Sequence, residues 1–226
     1  MIAGVALLLC LSGAPQDTTL DGVLRRAFMQ GPESGMRAFA SARGARPRSV
    51  TPSLLIDVAK DLVTQGDTGA AVAALELNAT EFPEAAAAAD ALGHVLVAVG
   101  RLEEAAAAYR RSLAIDIYNP DTGKRLDWID GLLAAQREPM VVPDSILRAY
   151  GGTYGPYDIE FKRGWLTVRA AEVARSPLLP LSNGLFAVEG VPTLRLWFVR
   201  AADGSYQRLV TLHFGAAGQV WPRENR

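Results

Sequence analysis

The spacing of apolar side chains changes once along the chain, near residue 140. Up to about residue 136 they recur every three or four positions, which predicts helices; after residue 150 short β-branched and aromatic runs alternate with Gly, Asn and Pro, which predicts strands. Leu20 to Met29 and Glu33 to Ala42 form a lead-in helical hairpin within residues 15–50, and further hairpins fill 52–119. Residues 121–136 follow as an amphipathic helix carrying Leu126, Ile129, Leu132 and Leu133. Arg137-Glu138-Pro139 opens a boundary at 137–143, and Asp144 to Ala149 reads as a last helical turn. Tyr157 to Phe161 and Trp165 to Ala170 flank Lys162-Arg163-Gly164 as a hairpin, with Ile159, Phe161, Leu166 and Val168 on one face. Leu178 to Leu181, Leu185 to Val188, Leu194 to Arg200 and Tyr206 to Phe214 continue it as an antiparallel meander. The fold class is therefore α+β with segregated parts: helical hairpins in 51–136, then a small antiparallel barrel or half-barrel in 143–226.

Within the helical part a period of 34 residues is legible. Laying 52–85 on 86–119 superposes Ala59 on Gly93, Leu62 on Leu96, Gly66 on Gly100, Ala71 on Ala105, Leu75 on Tyr109 and Asn78 on Ser112. Small residues at 59 and 93 allow close helix approach, and the glycines at 66 and 100 supply the left-handed residue that ends a helix. Thr51 is placed as an N-cap, with Pro52 and Pro83 where a proline costs a helix little. These positions resemble two tetratricopeptide repeats, although Ile117 stands where the second should have its proline and Asn119-Pro120 comes later. The resemblance implies a concave, peptide-binding face formed by Ile56, Lys60, Val63, Asp90, His94 and Val97. Ile56 and Asp90 occupy slots where a groove for peptide carboxylates has a cation or amide, so the resemblance does not imply that ligand class.

Downstream, Tyr150-Gly151-Gly152-Thr153-Tyr154, Ile159 to Leu166, Leu179-Pro180-Leu181-Ser182, Leu185-Phe186 and Leu196 to Val199 resemble the lipocalin-like domain at the end of many bacterial serine hydrolases of the beta-lactamase and penicillin-binding type. Helical repeats often precede that domain, whereas the catalytic domain is missing here. The resemblance implies a small barrel able to hold an apolar molecule among Tyr157, Trp165, Phe186 and Trp197, or an accessory role beside a separately encoded hydrolase.

Chemistry is sparse by comparison. No serine is followed three residues later by lysine, and no nucleophile elbow, zinc-protease helix, phosphate loop or dinucleotide fingerprint occurs. One cysteine and two histidines, His94 and His213, give no metal-binding spacing, so no metal or cofactor is expected and the chain reads as non-catalytic. A net charge of -1 removes nucleic acid as the default partner. Its distribution is uneven: six basic and three acidic residues in 15–50, six and thirteen in 51–136, ten and seven in 143–226. The expected partner is a protein or peptide, with an apolar small molecule as the alternative.

Met1 to Ala14, an apolar run ending in small residues, has the shape of an export signal without a leading cation, and cleavage after Ala14 satisfies the small-residue rule. Leu7-Leu8-Leu9-Cys10 resembles a lipoprotein box with Leu9 where a small residue belongs, which makes Cys10 the candidate for lipidation and the only route to a membrane. The expected location is periplasmic or secreted, in a bacterium.

Overall fold

The computed structural model describes residues 18–171 and 173–224. The chain divides into two compact units, residues 1–74 and 75–226. Among the described residues the order is eight helices followed by eight strands.

In the first unit α1 (Leu20–Met29) and α2 (Pro32–Ala45) form the lead-in hairpin, followed by a short 3-10 turn and α3 (Pro52–Thr64). Thr19 caps α1 by accepting from the Gly22 amide, and Gly31, at φ 130°, makes the break before Pro32. Gly35 lies against Phe28 so closely that a Cβ there would come within 2.3 Å of the ring, and Leu24, Phe28 and Phe39 bury around that contact. Thr51 occupies the N-cap position of α3, but its side chain makes no capping bond.

α4 (Thr68–Glu81) contains the division at 74/75. In the second unit come α5 (Ala86–Ala98), α6 (Leu102–Ile115), α7 (Pro120–Arg137) and α8 (Asp144–Tyr150). A Cβ at Gly93 in α5 would stand 2.6 Å from the fully buried Tyr109 ring of α6, which is the close approach expected of the 34-residue pattern. Both glycines that end repeat helices are left-handed, Gly66 at φ 82° and Gly100 at 77°. Asn119 caps α7 through the Thr122 amide, and Ile129, Leu132 and Leu133 are buried as the amphipathic pattern requires.

The strands are β1 (Gly152–Tyr154), β2 (Tyr157–Lys162), β3 (Trp165–Ala170), β4 (Val173–Ser182), β5 (Leu185–Val188), β6 (Val191–Arg200), β7 (Tyr206–His213) and β8 (Ala216–Pro222). Each pairs antiparallel with the next. A single bridge between Tyr154 and Arg223, with the Glu224 amide donating to Thr153 O at 2.9 Å, brings the first strand to the last and nearly closes the barrel. Arg163 (φ 53°) and Gly164 (φ 85°) make the two-residue turn whose twist suits a hairpin. Strand alternation sends Ile159, Leu166, Val168, Leu196, Phe198 and Leu209 inward. α8 adds Leu147 and Tyr150 to that interior, where the Tyr150 ring lies 4.6 Å from Phe198, 5.4 Å from Phe186 and 4.4 Å from Tyr206.

Candidate binding surfaces

The six residues expected on the concave helical face fall in both units. In the first unit Ile56 is half-buried, while Lys60 and Val63 are exposed, Lys60 holding Asp57 at 3.1 Å. In the second, Asp90 and His94 are half-buried and Val97 is 1% exposed. Asp90 accepts from the Thr122 hydroxyl at 2.6 Å and, through both carboxylate oxygens, from Arg125 Nη1 at 3.1 and 3.2 Å, and lies 3.7 Å from His94 Nδ1. Burial alone would raise the Asp90 carboxyl, but the groups of His94, Thr122 and Arg125 together outweigh it and hold its pKa below the ordinary range. The imidazole of His94 in turn meets the edges of Tyr109 and Phe214, at ring separations of 6.1 and 5.6 Å. Asp90 and His94 are thus engaged with neighbours of their own chain.

Phe214 explains that environment. It sits between β7 and β8 and inserts among His94 of α5, Tyr109 of α6 and Trp128 of α7, the last at 5.9 Å. Trp128 Nε1 donates to Pro192 O at 2.9 Å, and Arg195 from β6 lies over the Trp128 ring at 4.0 Å while donating to the Trp128 carbonyl. Burial pushes the Arg195 guanidinium down to about 10, and its Nε is buried with no hydrogen-bond partner among the described residues. Within the second unit the helices and the barrel are therefore joined by an aromatic and cationic junction. The sequence pointed to none of Phe214, Trp128 and Arg195 as junction residues; the one available hint was an indole at position 128 within an amphipathic helix.

The four barrel residues do not converge on one interior site. Phe186 is 1% exposed and fills the core, and Tyr157 packs at the barrel's side against Trp221, 5.9 Å away. Trp165 and Trp197 alternate with the inward Leu166, Leu196 and Phe198, so they face out, 60% and 44% exposed. Around Trp197 the apolar side chains of Met140, Val141 and Ile146 line a groove of 660 Å³, with Val141 92% exposed. Trp165 stands at a second opening, a cleft of 440 Å³ between the start of α6, the end of α7 and the wall of β4 and β5. No group of three or more His, Cys, Asp or Glu side chains that could hold a metal ion occurs among the described residues. No described helix is long and apolar enough to cross a membrane. Met1 to Ala14, with Cys10, lie outside the described residues.

Helical hairpins with a 34-residue repeat, followed by a nearly closed eight-stranded antiparallel barrel, define the class of fold. No family model matches the chain. No curated protein matches it either. Among solved structures it is similar to the first TPR domain of human RPAP3, at 20% identity over 52% of this chain and 95% of that one, with a TM-score of 0.39. A second is the first TPR of Spaghetti (RPAP3) bound to the HSP90 peptide SRMEEVD, at 23% identity over 54% and 99%, with a TM-score of 0.38.

Proposed function

We propose that the protein is a non-catalytic binding protein that docks a protein or peptide on exposed apolar surface. The carrying observation is the grouping of large apolar side chains at open grooves, Met140, Val141, Ile146 and Trp197 at one and Trp165 at another, where surface of this kind is a contact site for partners. The polar groups nearest to a reactive constellation support the same reading, because Asp90 and His94 are held by Arg125, Thr122, Tyr109 and Phe214. Export is part of the proposal and rests on the sequence of residues 1–14, with either cleavage near Ala14 or lipidation at Cys10. The resemblance of the barrel supports a narrower version in which the partner is a separately encoded serine hydrolase.

Pull-down from envelope extract, followed by reconstitution with the purified partner, tests the reading. A stoichiometric complex weakened by Trp165→Ala or Trp197→Ala is expected. Turnover of an ester or beta-lactam by the chain alone, abolished by one serine substitution, would overturn it. Amino-terminal sequencing that finds Met1 intact on a cytoplasmic protein removes the export component.

A further inference from the structure

The cleft beside Trp165 carries a narrower statement about the partner, which rests on the binding reading above. Its walls are apolar: Leu102 from α6, Leu132 from α7, Pro177 and Leu179 from β4, and Val188 from β5. Trp165, 60% exposed, stands at its mouth. Among the described lining residues one charge is present, the exposed carboxylate of Glu189, where β5 turns into β6. Its backbone amide is fixed on Pro177 O at 3.0 Å, so the residue is anchored, while its carboxylate takes part in no ion pair among the described residues. An apolar trough with an indole at the mouth and one unspent anion selects for a bulky apolar group next to a cation. The mouth is open, as the exposure of Trp165 shows, which suits a chain lying across it better than a molecule enclosed within it.

We propose that this cleft binds an extended peptide segment in which a large aliphatic or aromatic side chain fills the trough and an adjacent lysine or arginine faces Glu189. The aliphatic walls and indole then supply most of the affinity, and Glu189 sets the preference for charge.

The test follows indole fluorescence and calorimetry of the full chain titrated with three capped peptides: Leu-Phe-Lys, Leu-Phe-Glu and Ser-Ser-Lys. The Leu-Phe-Lys peptide is expected to bind most tightly, and Trp165→Ala to weaken it by roughly tenfold or more. Glu189→Gln should reduce the preference for Lys over Glu by a few fold, Glu189→Lys should invert it, and added salt should erase it. Both positions are exposed, so circular dichroism of the variants should match the parent. Equal binding of all three peptides, an unchanged Trp165→Ala variant, or binding of a long-chain alkylamine with none of Leu-Phe-Lys would overturn the proposal. If the reconstituted protein complex survives Trp165→Ala at full affinity, the binding reading stands and this cleft is not its site.

Discussion

Two helix ends 34 residues apart, Leu62 to Asp67 in the first unit and Leu96 to Arg101 in the second, have the same backbone and different side chains. In each, the residue after the left-handed glycine donates back to the carbonyl five positions earlier, Asp67 to Leu62 and Arg101 to Leu96, both at 2.9 Å. The glycine itself donates to the carbonyl three positions earlier, Gly66 to Val63 at 2.9 Å and Gly100 to Val97 at 3.1 Å. That is one helix stop used twice, and it needs only a glycine able to take positive φ. What comes next diverges. Asp67 accepts from the Ala70 amide at 3.0 Å and so caps α4, whereas Arg101 offers α6 no cap and instead pairs with Glu104 and with Glu76, the latter at 3.3 Å. Backbone geometry is what the repeat preserves, and the side chains around it are free to serve other ends.

The harshest way to break the shared pattern is to fill the small position of the second copy. Gly93→Leu drives a side chain into the Tyr109 ring, and a loss of about 3 kcal/mol is expected in denaturant unfolding, the upper end for overpacking. Asp90 comes next, since its cluster has no counterpart in the first copy. Asp90→Asn should cost about 2 kcal/mol at neutral pH. Because the folded carboxyl is held below its ordinary pKa, the contribution is present above about pH 4 and is lost as pH falls through the lowered folded value. The parent should therefore lose stability more steeply than Asp90→Asn over that acid range, as read from melting temperature against pH.

Smaller effects sharpen the comparison. Gly66→Ala and Gly100→Ala should each cost roughly 1.5 kcal/mol, nearly equal because both put a Cβ on left-handed backbone with open space around it. Unequal losses would mean that the two stops are not equivalent. Asp67→Ala should cost about 1 kcal/mol for the cap, while Arg101→Ala, a surface ion pair, should leave unfolding unchanged within error.

Legibility differed between helices and strands for a physical reason. Leu20–Met29 and Leu185–Val188 have the bounds that the pattern predicts, and the hairpin around Arg163-Gly164 is where turn chemistry places it. The pattern gave no sign of β1 and β8. Gly152-Thr153-Tyr154 is too short for any rhythm although Tyr154 is fully buried, and Ala216 to Pro222 is almost wholly exposed and shows no buried face; each is a strand because a neighbour offers its ladder. The candidate barrel site was less legible for a different reason. An aromatic residue in a strand can be assigned to either of two faces, and the pleat puts Trp165 and Trp197 on the face opposite the buried Phe186.

By itself the sequence determined the repeat, the helix stops, the switch from helix to strand and the inward face of the hairpin that carries Ile159, Leu166 and Val168, because each follows from local backbone preference or from burial along one element. Tertiary structure alone decided that Tyr150 would fill the barrel, that Phe214 would enter a pocket of three helices, and that Glu189 would line an apolar cleft with Leu132. Those pairings join residues tens of positions apart, and no periodicity encodes a contact whose partner lies on another element.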